Sequence, residues 1–408
     1  MNYPLIFDTA LEIGYQLAMC GAETYRIEEC IIRIMRAYGA DAEVFAIPNS
    51  MTATMTTPDG ESITRLRRIG FHGNDMDTLE RYSNLSRRIC QETPDPATAT
   101  KWVEETRASR KAYRLPTFLF ANMIAAAGFS FFFGGTFADG AVAVVCGFVV
   151  GLLSYFTEKL HINFFFATIA TSFFMALTAY LFGSFGFNAD IAIIGTLMKL
   201  VPGLLFTNAI RDIIFGDTNS GINRIVQVVL IACAIGLGTG FARSLVFSSF
   251  GVQETIMPQS YHPVIQCIAA AIGCTGFCVL FNIHGRGMLL CILGGTLSWA
   301  VYLVSAYLFN DSLAGYFIAT LFAASYAEVM ARVRHFPAIT YLLVSIFPLI
   351  PGAGIYYTTS CLADGNMAGF IEKGSETFSI AGIMAIGILM VSTIVRGSTV
   401  WKQMKNHK

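Results

Sequence analysis

Leu197-Met198-Lys199-Leu200-Val201-Pro202-Gly203-Leu204-Leu205-Phe206 recurs 149 residues later as Ile346-Phe347-Pro348-Leu349-Ile350-Pro351-Gly352-Ala353-Gly354-Ile355. Each copy centres a proline-glycine pair in a long apolar segment. Proline lacks the amide hydrogen that the next helical turn needs, and glycine weakens a helix, so each pair breaks a span where exposed backbone is costly. Breaks at matching places in two halves of a chain are a sequence sign of a transporter binding site.

The surrounding composition supports a membrane setting. Of 408 residues, 54% are hydrophobic and 13% charged. Residues 1–115 carry 14 of the 27 Lys and Arg and 16 of the 27 Asp and Glu, and the rest is almost neutral hydrocarbon. The pattern reads as a small soluble domain ahead of a polytopic membrane domain, and nothing in it points to nucleic acid. Met1-Asn2-Tyr3-Pro4 opens an amphipathic stretch rather than a cleavable signal peptide. The ten cysteines are scattered. Cys274 and Cys278 share a helical face but lack partners at zinc-ligand spacing, so they read as packing residues and no metal or cofactor is expected.

In residues 1–95, Ile6, Ala10, Ile13 and Leu17 mark one amphipathic helix, and Ile27, Ile31, Ile34 and Tyr38 a second. Alternating segments at 43–47, 51–57 and 62–69, separated by Pro48-Asn49 and Pro58-Asp59-Gly60, predict a small antiparallel sheet. Leu79, Tyr82, Leu85 and Ile89 give a third helix, so the domain is α+β. Its densest charged cluster, Glu23, Arg26 and Glu28, reads either as a functional constellation or as a salt-bridged helix start. Residues 96–115 form a linker and a basic helix from Lys101 to Arg114, lying along the headgroups or serving as a solvated connector. No catalytic motif is present, so enzyme activity is not expected.

Ten apolar segments follow, centred near residues 126, 147, 172, 200, 233, 272, 297, 321, 350 and 388. They divide into 116–250 and 251–408, and Ile124-Ala125-Ala126-Ala127 is echoed by Ile268-Ala269-Ala270-Ala271. An odd number of spans per copy makes the repeat inverted. The fold expected is therefore mainly α, with ten transmembrane helices as a 5+5 inverted repeat behind a small α+β cytoplasmic domain. Lys and Arg alternate between connections so as to place both termini in the cytoplasm of a plasma-membrane protein.

The half-helices after Pro202-Gly203 and Pro351-Gly352 would aim positive ends at a carboxylate near the midplane. Lys199 stands one turn before the first break, and Thr207, Asn208, Arg211 and Asp212 follow it. Lys199 either faces a partner in the pathway or snorkels to the interface. Arg211-Asp212 reads as a pathway pair or an interfacial one, and Glu328 as a coupling carboxylate or a partner of Arg332. The second copy has Pro348, Ser360 and Cys361 where the first has Lys199, Arg211 and Asp212, while Tyr356 supplies a hydroxyl. Charge chemistry thus concentrates in the first copy.

Taken in order, several motifs together resemble the threonine/serine exporter family of the ThrE type. They are Gly21-Ala22-Glu23-Thr24-Tyr25-Arg26-Ile27-Glu28-Glu29, then Pro202-Gly203 with Arg211-Asp212, then Gly216-Asp217 through Ser220-Gly221. Phe281-Asn282 with Arg286, Ala327-Glu328 through Arg332, Pro337, and Pro348 through Gly352 with a following tyrosine complete the set. The chain also resembles a fusion of the YjjP and YjjB types, which are implicated in succinate export. The resemblance implies proton-driven export of L-threonine and L-serine, with a small-molecule substrate, protons and the bilayer as partners. It also raises Glu23, Arg26 and Glu28 from surface charges to a candidate functional cluster. A dicarboxylate exporter is the alternative, and a membrane-anchored sensor or scaffold is the rival from another class. An anchor needs no paired breaks.

Overall fold

A computed structural model describes residues 1–70, 73–214, 216–250, 261–334, 336–363 and 365–406. The chain divides into two compact units. The first comprises Met1–Tyr113 together with Phe281–His284 and residues 336–339.

In this first unit, α1 (Tyr3–Met19) and α2 (Thr24–Ala37) pack together through Ile6, Ala10, Ile13, Leu17, Ile31 and Ile34, all buried at the spacing that the sequence shows. Strands β1 (Asp41–Ile47), β2 (Ser50–Thr56) and β3 (Ser62–Arg68) form an antiparallel sheet in the order β1-β2-β3. Met51, Ala53 and Met55 are its buried face, while the cross-strand row Phe45, Thr52 and Leu66 lies on the other. Gly60, at φ +87°, allows the tight return from β2 to β3. Helix α3 (Met76–Glu92) is capped by Asp75, whose carboxylate accepts the Thr78 amide at 3.1 Å. Helix α4 begins at Pro96 and ends at Ala108, five residues ahead of the expected Lys101 start. Proline suits the first helical turn, and Asp95 caps it, so the proline-rich stretch opens the helix instead of delaying it. Ala99 and Val103 are buried, and α4 packs on α1. Burial pushes the Cys20 and Cys30 thiols up to about 12, which leaves them as packing groups.

Among its described residues, every regular element of the second unit is helical. It comprises α5 (Leu115–Phe132), α6 (Phe137–Lys159), α7 (Phe164–Gly183), α8 (Ala189–Leu197), α9 (Gly203–Ile214), α10 (Thr218–Phe250), α11 (Pro263–Leu280), α12 (Arg286–Phe309), α13 (Ser312–Arg334), α14 (Ala338–Ser345) from Thr340 onward, α15 (Gly352–Ala363) and α16 (Met367–Asn406). Eight of these are long and apolar enough to cross a membrane. Of the ten spans expected, the two centred near residues 200 and 350 are pairs of short helices, α8 with α9 and α14 with α15. In each, the second helix starts at the glycine after the proline. Pro202 O accepts from Phe206 N at 2.9 Å, and Pro351 O from Ile355 N at 3.3 Å, so each proline opens its half-helix.

Neighbour relations repeat along the unit. Helix α10 packs on α7 as α16 packs on α13, and α6 lies against α5 as α12 lies against α11. Each short second helix touches the long helix that follows it and the long helix of the other half: α9 rests on α10 and α16, α15 on α16 and α10. Helices α5 and α11 cross at glycines, since a Cβ on Gly128 would fall 2.8 Å from Gly273 Cα. Small residues at such a crossing let backbones close up where lipid supplies no hydrophobic drive.

The two breaks fill each other. A Cβ on Gly203 would collide with the Ile350 side chain, and one on Gly352 would fall 2.6 Å from Met198 Sδ. Val201 Cγ1 also lies 3.8 Å from that Cβ position, and Ile350 and Val201 each sit two residues before the glycine of their own break, so the contact is reciprocal. Gly203→Ala is expected to cost about 1–3 kcal/mol by overpacking, and Ile350→Ala in the same chain to cancel much of that cost. Thermal unfolding of the detergent-solubilised protein measures this. Additive losses would show that the notch is not shared.

Candidate functional site

The charged residues of the first break converge at the turn from α9 to α10. Gly221 brings α10 onto α9, because a Cβ there would fall 2.9 Å from Ala209 O. Asp217 accepts the Ser220 amide at 3.3 Å and donates its own amide to Asp212 O at 3.0 Å, which fixes the turn. Asp212 Oδ2 then lies 3.0 Å from Arg224 Nε, and Asp212 Oδ1 3.6 Å from Arg211 Nη2. Arg211 is 5% exposed, and Asp212 and Arg224 9% each. The ion pairs are thus nearly closed off from solvent, where charge is tolerated only in company. Both signs are present: guanidinium groups suit a carboxylate, and the Asp212 carboxylate suits an ammonium.

Other expected residues are placed elsewhere. Lys199 Nζ donates to Ser154 Oγ on α6 at 2.9 Å and stands 4.8 Å from the Phe118 ring on α5. Its stem runs from the break toward the last turns of α6, and its head group rests between α5 and α6. Thr207 is fully buried and its hydroxyl donates to Gly203 O at 3.1 Å, which ties it to its own helix start. Asn208 is half-buried one residue on. Glu328 lies half-buried near the end of α13, with Arg332 exposed one turn later. Pro202, Gly203, Pro351 and Gly352 are buried together at the crossing.

Tyr356, 4% exposed on α15, donates to Asp190 Oδ1 at 3.0 Å in the first turn of α8. Asp190 has no place in the sequence reading. Its position two residues after the capping Asn188 makes it look like an ordinary first-turn acid. The one available signal was a carboxylate within an otherwise neutral apolar span. Arg224 was legible only as a loop cation, since its distance to Asp212 depends on how the α9–α10 turn closes.

In the first unit, Glu23 is the residue before α2, and Arg26 stands 3.9 Å from it. Glu28 Oε1 accepts the Ala46 amide at 2.9 Å, pinning α2 to β1. Gly21, at φ +83°, lies so close to the next loop that a Cβ would fall 2.6 Å from Asn74 Oδ1. The segment Gly21 to Glu28 therefore has a folding role of its own. The loop Phe281–His284 is built into the same unit. Asn282 donates to Asp75 Oδ1 at 2.8 Å and to Lys111 O at 2.6 Å, and Asp75 also pairs with Arg110 at 2.9 Å. Tyr113 donates to Ile283 O at 3.0 Å and stacks on His284.

Removing one member of the buried ion pairs should expose their dependence on one another. Arg224→Ala is expected to cost about 3–5 kcal/mol by leaving Asp212 short of its partner, and Asp212→Asn in the same chain to recover part of that loss. Thermal unfolding of the four proteins in detergent provides the cycle. Equal losses with and without Asp212 would contradict the coupling.

Comparison with known proteins converges on one family. A family model described as "Putative threonine/serine exporter" matches residues 8–246, and a second, "Threonine/Serine exporter, ThrE", matches residues 266–394. A protein of Klebsiella aerogenes named "Probable succinate transporter subunit YjjP" is 28% identical over 240 residues, 56% of this chain and 89% of that protein. Its namesake in Escherichia coli K12 is 25% identical over 236 residues, 56% of this chain and 90% of that protein. No solved structure matches. With the breaks, the helices and both family matches in the same order, this chain belongs to the ThrE threonine/serine exporter family.

Proposed function

We propose that this protein is a secondary transporter that exports L-threonine and L-serine from the cytoplasm, driven by the proton-motive force. The reciprocal packing of the two breaks carries the reading: Gly203 lies under Ile350, and Gly352 under Met198. Each of these glycines is the first residue of its half-helix, and helix N-termini attract carboxylates. In this conformation apolar side chains cover both, so substrate enters only when the halves separate. Alternation between separated and closed forms is what a carrier needs and a channel does not.

The ten spans, counting α8 with α9 and α14 with α15 as one each, form a 5+5 inverted repeat with both termini in the cytoplasm. Residues 1–95 act as a cytoplasmic domain and 96–115 join it to the membrane. Arg211 and Arg224 receive the substrate carboxylate on its way to the crossing, and Asp212 receives its ammonium. Asn208 and Tyr356 add hydrogen bonds, and Asp212 carries coupling charge. Lys199 and Glu328 lie beside this path and tune its field.

A dicarboxylate such as succinate is the second reading, favoured by the names of the two YjjP relatives. The surplus of arginine over aspartate among the ion pairs at the α9–α10 turn suits it as well. Vesicles preloaded with threonine, serine or succinate and given a proton gradient separate the readings. Efflux of threonine and serine, with succinate retained, is the expected result; efflux of succinate alone selects the second reading, and retention of all three contradicts export. Asp212→Asn is expected to remove the proton dependence, and unchanged dependence would take the coupling role from this residue.

A further inference from the structure

We propose that Asp190 and Tyr356 form a second substrate site, one that receives an alkylammonium group at the end of the span opposite Asp212. The proposal rests on the export reading above and narrows its substrate class to amino acids, because a dicarboxylate has no cation to place there. Under the topology proposed above, this end of the span faces outward.

The site is built where the two halves of the membrane unit meet. Asp190 belongs to the first turn of α8, before the first break, and Tyr356 lies on α15, after the second. The Tyr356 hydroxyl donates to Asp190 Oδ1 at 3.0 Å, and the Tyr180 hydroxyl of α7 stands beside it. Tyr356 and Tyr180 are 4% and 5% exposed, whereas Asp190 is half-buried, so the carboxylate is the member that solvent reaches. Along the chain, Asp190 and Asp212 lie on either side of Pro202, so one span carries a carboxylate toward each of its ends.

What the pair offers a ligand is acceptors alone. Tyr356 spends its proton on Asp190, which leaves lone pairs on the phenol oxygen, and Asp190 Oδ2 takes up no hydrogen bond among the described residues. No lysine or arginine among them pairs with Asp190, and Lys199, beyond the far end of α8, is bonded to Ser154. The neighbouring acid on α6, Asp139, is by contrast fully committed. Its Oδ2 accepts from the Thr136 amide and hydroxyl at 2.9 and 2.7 Å, and its Oδ1 from the Asn188 amide at 2.8 Å. A carboxylate in an apolar unit calls for a cationic partner, and the described residues supply Asp190 with none. A primary ammonium has three donors and no acceptor, which is the complement of this pair. A divalent metal asks for more oxygen ligands than one carboxylate, and no group of three or more His, Cys, Asp or Glu among the described residues could hold one.

The test follows counterflow of external threonine in right-side-out membrane vesicles carrying the full-length protein, at equal pH on both sides, with and without sodium. The competitor is the threonine analogue that has a hydroxyl in place of the ammonium. The wild type is expected to prefer threonine over this analogue by roughly ten- to a hundredfold, the worth of a hydrogen bond to a charged group. Asp190→Asn is expected to raise the KM for external threonine and to abolish most of the preference, and Asp190→Glu to keep most of it. For a variant that no longer transports, the shift of thermal unfolding that each compound causes in detergent gives the same ratio. A preference unchanged in Asp190→Asn overturns the site, and so does equal loss in Asp190→Glu, which marks a structural role. Flux that requires sodium, with the requirement lost in Asp190→Asn, assigns the carboxylate to an alkali cation and overturns the proposal too. A wild-type protein that moves succinate but neither threonine nor serine overturns the amino-acid reading and the site with it, so the two failures are distinguishable.

Discussion

Two chain breaks that fill each other's glycine notches fix the arrangement on which the membrane unit depends. Proline removes a helical donor, glycine removes a side chain, and in lipid neither vacancy can be left to solvent. The chain answers by placing Ile350 over Gly203 and Met198 over Gly352. Each break is therefore stabilised by the other, and either alone would leave a gap in the packing. In the carrier proposed above, this contact would be engaged in one state and separated in the other. That is the property a carrier requires of its centre.

Polar chemistry is distributed about this centre. The turn between α9 and α10 gathers Arg211, Asp212 and Arg224, which are nearly solvent-free and held by a closely packed helix pair. The start of α8 presents Asp190 to Tyr356 across the halves. Lys199, the most conspicuous charge in the sequence, reaches away from the crossing to Ser154. The first unit shows a parallel economy: Asp75 caps α3, pairs with Arg110 and accepts from Asn282, so one carboxylate ties a helix start, a connecting segment and the Phe281–His284 loop together. That loop joins α11 to α12, and its Phe281-Asn282 motif gains a physical reason in these contacts.

Much of the fold was legible because the hydrophobic period is unambiguous. Ile6, Ala10, Ile13 and Leu17 repeat at helical steps, the three strands alternate between firm turns, and eight apolar stretches have the length of a span. The breaks were legible because proline and glycine act locally. What the sequence could not show is pairing across distance. That Gly203 lies under Ile350, that Asp190 meets Tyr356 166 residues away, and that Arg224 reaches back to Asp212 all depend on how helices are set against one another. Pro96 escaped for a different reason: two prolines read as a helix stop, yet a proline after a capping aspartate begins one.

The most direct test of a crossing that opens and closes is side-chain access at its centre. With the ten native cysteines replaced, Ile350→Cys occupies a position that is 6% exposed and can be probed with a membrane-impermeant maleimide in vesicles. Labelling that is absent at rest and appears when substrate and a proton gradient are both present is the predicted result. A cysteine that stays protected in a protein shown to be transporting, or one that reacts equally at rest, would contradict a closed crossing that separates during transport.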